Sequence, residues 1–387
     1  MNNNNKIKKY LLFIIVLITV FSSFNFAYAT DNYMQNALDE VNTEDLDSYL
    51  RNTSDYFNDK NITIRQLIND AMKGKIEFNL LDFFSYQIQK EKDFIKQNIF
   101  TSINILIVCI ILTIIKYFSE EISNNNVSDI VVFISIIIVF IMATKDINFI
   151  KDTLKNEFTR FNTITQNINS LFLAAMITFG KIGLLEFFQT YSQYIIGITT
   201  KAIYNFTEIM TIILTAIILI NNISKLVNAK LLYKFLKKAT LIILSTYIIV
   251  VVINFSVQGY IYYKTDNLFI NAVKAISPSS IPMVGNAVNN FFGLFINSVL
   301  FIKDVAGLVI ILFIFSLFGS SLLKLFIIFI LYRITAAIAE PFNENISSLM
   351  QELSDIMYIY LVCLATPIII ITSYYSIMLS YLNSIYG

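Results

Sequence analysis

No histidine occurs among the 387 residues. Histidine supplies most metal ligands and most general bases near neutral pH, so its absence removes every His-dependent metal or catalytic site. Charge is also scarce: 14% of residues are Asp, Glu, Lys or Arg and 56% are hydrophobic, where soluble domains carry about 25% charged residues. A net charge of +1 leaves no concentrated basic face and excludes nucleic acid as a partner. The two cysteines, Cys109 and Cys363, both fall in apolar stretches and read as small buried hydrophobes, not as a disulfide. No G-x-S-x-G turn, glycine-rich phosphate loop or close carboxylate pair within a span is found. An enzyme is therefore the least supported class, and the residues point to no catalytic group, cofactor or metal.

What is abundant is apolar length. The fold class that follows is all-α, a polytopic transmembrane helical bundle of seven or eight spans. Three parts are distinguished. Residues 1–29 form an export signal, with Lys6, Lys8 and Lys9 ahead of an apolar run over 10–21 and Ala27-Tyr28-Ala29 as the cleavage box. That run is shorter than the ~20 residues a crossing helix needs; the alternative is an uncleaved first anchor, and either reading places residues 30–97 on the exported side.

Residues 30–97 carry 13 Asp and Glu against 8 Lys and Arg. Thr63 and Gln66 form a capping box ahead of Ile64, Leu67, Ile68 and Met72, with Gly74 as a stop. A second helical pattern, Leu81, Phe84 and Ile88, leads through Lys90, Lys92 and Lys96 into the membrane. With so few large apolar side chains this part is read as a helical collar resting on the membrane or a partner, not as an autonomous domain.

Residues 98–387 form the multi-span domain, with spans expected at 99–116, 129–145, 168–187, 203–222, 238–257, 300–319, 321–340 and 357–381. Alternation would place the loop over 222–238 outside, yet it holds Lys225, Lys230, Lys234, Lys237 and Lys238 and no acidic residue, a composition that stays cytoplasmic. The segment that fails to cross is then 168–187, interrupted by Gly180, Lys181, Gly183 and Glu186, read as a re-entrant hairpin with 190–200 returning. Such backbone is tolerated only where protein or water satisfies it. The same topology places a loop over 145–167 outside. A second irregular stretch is expected over 254–297, where Gly259, Pro278, Pro282, Gly285 and Gly293 interrupt helix; it reads either as a membrane-dipping element or as an external loop with an interfacial helix.

Arg333 stands in the middle of the span 321–340. A cation there costs at least ~2.5 kcal/mol on insertion scales, so it faces protein, water or a counter-ion, unless the span is shifted and the side chain snorkels. Glu340 lies seven residues on, about 10 Å along the axis, and Pro341 ends the helix. Thr335, Ala336, Ala337 and Ala339 are small enough for close helix approach. Lys181 and Glu186, five residues apart, lie on different helix faces and form no ion pair.

Three stretches together resemble the stage III sporulation protein AE family of endospore-forming bacteria: Ser256-Val257-Gln258-Gly259, Ile281-Pro282-Met283-Val284-Gly285 and Tyr332-Arg333-Ile334-Thr335-Ala336-Ala337-Ile338-Ala339-Glu340-Pro341. Glu340 departs from the polar uncharged residue of many relatives, so nothing is rested on its charge. The resemblance implies a multi-pass protein of the mother-cell membrane surrounding the forespore, its N-terminal segment in the intermembrane space. It further implies a trans-envelope channel, or feeding tube, shared with the other membrane proteins of its operon and a forespore membrane partner. It carries no catalytic residue. The oligomeric state stays open, a homo-oligomer included. The rivals are a secondary transporter acting alone, with interrupted segments at 168–200 and 276–300 as its pointer, and a non-conducting scaffold. The positions singled out are Lys181, Gly183, Glu186, Pro282, Gly285, Arg333, Glu340 and Pro341.

Overall fold

Between residues 125 and 178 the chain contains neither glycine nor proline, and its structure there is one uninterrupted helix of 54 residues. The computed structural model describes residues 47–48, 51, 55–63, 66, 80–121, 125–178, 193–223, 228–276 and 318–383. Every regular element among them is helical: α1 Asp55–Asp59, α2 Leu80–Lys90, α3 Lys92–Glu121, α4 Asn125–Thr178, α5 Gln193–Ile223, α6 Lys230–Ile276, α7 Phe318–Ala339 and α8 Glu344–Asn383. Helices α3 to α8 each contain a stretch long and apolar enough to cross a membrane, so the all-α polytopic class holds.

The expected spans at 99–116, 203–222, 238–257, 321–340 and 357–381 fall on α3, α5, α6, α7 and α8, while 129–145 opens α4. Two expectations are corrected. The loop over 145–167 does not exist, because without a breaker the buried stripe Ala143, Ile147, Ile150, Leu154, Phe158 and Phe161 continues at helical spacing through the charged residues. The irregular stretch from 254 begins later than expected, since α6 runs through Gly259 to Ile276; a lone glycine weakens a helix by only about 1 kcal/mol. Of the re-entrant hairpin, 168–178 closes α4 and 193–200 opens α5. Lys181, Gly183, Glu186, Pro282 and Gly285 lie outside the described residues, as do the export signal and most of the 300–319 span.

Side-chain pairs set the directions of the helices. Asp146 meets Tyr332 and Glu157 meets Ser321, so α4 and α7 are antiparallel. Thr113 of α3 donates to the Phe342 carbonyl while Glu91, just ahead of α3, meets Ser320, so α3 and α7 are parallel. Tyr233 reaches Glu352 and Phe255 packs on Tyr374, which makes α6 and α8 parallel. Helix α8 is the centre: 78% of its apolar window is buried, against 22 to 39% for the other five. It passes through Pro367, a residue that removes one helical hydrogen bond but is tolerated in apolar spans supported by neighbours.

The hinge between α7 and α8 follows from Pro341, as expected. Helix α7 stops at Ala339, and the turn closes with Asn343 N–H donating to the Ala339 carbonyl at 2.8 Å. Asn343 then caps α8, its side-chain oxygen accepting from the amides of Asn345 and Ile346 at 3.1 and 3.3 Å. Close approach is achieved as the small residues require: Ser347 donates to the Ala336 carbonyl at 2.8 Å and Ser354 to the Phe329 carbonyl at 3.2 Å.

The collar rests on this chain's own bundle. Thr63 and Gln66 form the capping box reciprocally, at 3.0 and 3.1 Å. In α2, however, Phe83 and Gln87 are the buried positions, whereas Phe84 and Ile88 of the expected stripe face outward. Phe83 inserts beside Gly319 of α7, where a methyl group would lie 3.1 Å from the ring. Tyr56 stacks edge-on against Phe83 and donates to Asp82 at 3.1 Å. Burial and the Asp82 carboxylate push the Tyr56 hydroxyl up to about 12, and burial with Asp59 does the same for Tyr86. From α2 the backbone ladder continues into α3 through Glu91 N–H to Gln87 O and Ile95 N–H to Glu91 O, both 2.9 Å.

Candidate functional site

Three helices converge on one carboxylate, and a fourth joins through the glutamate beside it. Asp355 of α8 is only 9% exposed and is flanked by Arg333 of α7 and Lys237 of α6, both ion-paired to it and about a quarter exposed. Tyr233 of α6 shares its hydroxyl proton between Asp355 Oδ2 at 3.2 Å and the Glu352 carbonyl at 3.1 Å. The Glu352 side chain accepts from Asn222 of α5 at 2.8 Å. Lys237 and Arg333 therefore balance Glu352 and Asp355, and the cluster is neutral as a whole. A buried charge is tolerated only when paired and hydrogen-bonded, a condition Asp355 meets with three partners.

Arg333 thus has a counter-ion, and it is not Glu340, which is exposed in the turn together with Pro341. The guanidinium also lies 5.8 Å from the centre of the Phe329 ring, a distance suited to cation–π attraction. Asp355 itself falls two residues before the expected span 357–381 and so escaped the sequence reading. The signal was present: Ile346, Leu349, Met350, Leu353 and Ile356 are buried at helical spacing, and following that stripe back from 357 carries Asp355 into the packed helix.

Further polar contacts tie α4 to its neighbours at successive heights. Asp146 accepts from Tyr332 at 2.8 Å, Lys151 pairs with Glu208 of α5 at 2.9 Å, and Glu157 accepts from Ser321 at 2.7 Å. Arg160 lies 3.5 Å from Glu157, while Lys324 reaches Glu91 at 3.1 Å. One Glu157 oxygen is buried without a partner. Thr211 and Tyr360 share a buried hydrogen bond of 2.8 Å between α5 and α8.

These groups lock helices together: the Ser321–Glu157 and Ser320–Glu91 hydrogen bonds tie α7 to α4 and to the start of α3. No group of three or more metal-ligating side chains occurs among the described residues. The depression between Lys151, Tyr204, Glu208, Tyr360 and Cys363 is too narrow to admit a water molecule. Cys109 and Cys363 are both buried and free, as their apolar settings led us to expect.

A family model for stage III sporulation protein AE matches residues 62–381, a range that takes in α2 to α7 and nearly all of α8. No curated protein and no solved structure matches the chain.

Proposed function

The chain belongs to the stage III sporulation protein AE family, and from that premise we propose that it is an integral subunit of the trans-envelope channel complex joining mother cell and forespore. In this reading the helices α3 to α8 sit in the mother-cell membrane around the forespore. Residues 30–97 occupy the intermembrane space. The other membrane proteins of its operon and a forespore membrane protein are its partners.

The observation that carries this reading is the position of α8. Because the axis of the bundle is occupied by its most buried helix, with Leu349, Leu353, Ile356 and Leu364 fully inside, a solitary copy has packed side chains where a solitary pore needs space. The chain then serves as wall or platform, and any passage runs between subunits. The cluster around Asp355 fits that role, since it holds α5, α6, α7 and α8 in one arrangement on which a neighbour can rely.

The test is recovery of partners. Full-length tagged chain solubilised from sporulating cells should retain the other membrane products of its operon, and deletion should arrest forespore development. A chain recovered alone from cells whose spores mature normally after deletion would overturn the proposal.

A further inference from the structure

Along one outward stripe of α4 the chemistry changes abruptly. Ile134, Ile138 and Ile141 are exposed and apolar; the same stripe then continues as Lys145, Asn148, Asp152, Lys155 and Thr159, all exposed. The spacing of three and four residues keeps these positions on a single face, opposite the buried Ile147, Ile150, Leu154 and Phe158. Were α4 simply leaving the membrane at Lys145, its neighbours would leave there too.

They do not. Asp146 is level with Tyr332, Lys151 with Glu208, and Glu157 with Ser321. Ser321 and Tyr332 lie within the 22-residue apolar span of α7, and Glu208 lies near the middle of Ile196–Ile223 of α5. Lys151 is level with Glu208 and Asn162 with Thr200, so α4 and α5 run antiparallel. Where α5 turns Ile209, Ile212 and Ile213 outward, α4 turns out Lys145, Asn148 and, at the edge, Asp152, while Lys155 stands level with the exposed Asn205. Lysine can snorkel toward an interface from near a helix end, but the short side chain of Asp152 cannot. A charged stripe at this depth is unfavourable against lipid and normally faces protein or water.

The first turns of α3 enlarge the patch. The Phe94 ring packs 5.2 Å from that of Phe149, which brings the exposed Lys92, Asp93 and Lys96 alongside α4.

We propose that the α4 stripe from Lys145 to Thr159 is the wet wall of a hydrophilic passage completed by neighbouring subunits. This rests on the assignment of the chain to a channel complex, and it locates the passage on the α4 side of the bundle, away from the packed axis at α8. Its contents are water and small hydrophilic solutes, because Lys145, Asp152 and Lys155 would be desolvated by anything apolar.

The test uses single cysteines in the full chain, with Cys109→Ala and Cys363→Ala as background. Asn148→Cys and Lys155→Cys report on the stripe, and Ile212→Cys and Ile249→Cys on the apolar faces of α5 and α6. A small charged methanethiosulfonate is applied to membrane vesicles from sporulating cells and to proteoliposomes holding this chain alone. Stripe cysteines in the vesicles should react on the order of tenfold faster than the controls, because polar depth positions contact water and apolar ones contact lipid. Stripe reactivity in the vesicles no higher than that of the controls would overturn the proposal. So would reaction in proteoliposomes that disappears in vesicles, since a protein surface would then cover the stripe. Partner recovery from the same vesicles is scored separately, and its absence sinks the complex assignment whatever the stripe does. If the doubly substituted background fails to accumulate, the native thiols are retained, both being buried, and unsubstituted protein becomes the blank.

Discussion

At the residue scale the informative comparison is between the two ends of the Arg333–Asp355 pair. Removing the carboxylate with Asp355→Asn leaves Arg333 and Lys237 facing a neutral group. Removing the guanidinium with Arg333→Leu leaves Asp355 still held by Lys237 and Tyr233. Breaking a fully buried pair costs about 3–5 kcal/mol; partial exposure of both cations brings the expected loss for Asp355→Asn to roughly 2 kcal/mol, with less for Arg333→Leu. Thermal unfolding in detergent measures both, and equal loss would mean that Asp355 is not the hub. Arg333→Leu also separates roles: a purely inert scaffold would still support spore formation, whereas a chain that must hold this cluster for its neighbours should support less. Arg333 was legible because a cation inside an apolar run stands out. Its partner was not, because Asp355 lies where apolar composition fades although helical burial continues.

Elements were legible where breakers marked them and misread where charge was taken for a breaker. Pro341 ended α7 as expected, whereas Lys145, Lys151, Lys155 and Arg160 suggested a loop although nothing between residues 125 and 178 forbids helix. Asn148→Pro discriminates: in a helix interior it costs about 3 kcal/mol or more, so folded protein should fall sharply, while undiminished accumulation would restore the loop. The collar offers a second check. Gly319→Leu drives a side chain into Phe83 and should detach α2 from α7, seen as faster proteolysis near residue 80. Hydroxyls of Tyr56 and Tyr86 that titrate at about 12, above the ~10 of free tyrosine, stabilise the collar fully below pH ~10. That contribution disappears as pH rises through about 12. Protease protection of the collar should follow this course, and a variant with Tyr56→Phe and Tyr86→Phe should lack the step.

For the whole molecule, composition alone placed the chain in the membrane, and the ordered second-half motifs carried the family. Span count was harder, because hydropathy sees each helix alone while depth is a relation between helices. Lys151 is level with Glu208 and Glu157 with Ser321, so part of α4 that looks like a solvated loop in sequence stands beside apolar spans in space. Nor could hydropathy reveal which span is central: α8 is no more apolar than most of the other five described spans, yet of the six it alone is mostly buried. A molecule with a filled axis should conduct nothing by itself. The most direct measurement is release of a small trapped hydrophilic solute from liposomes containing this chain alone: release should match protein-free liposomes, and rapid release would contradict a subunit that needs neighbours to form a passage.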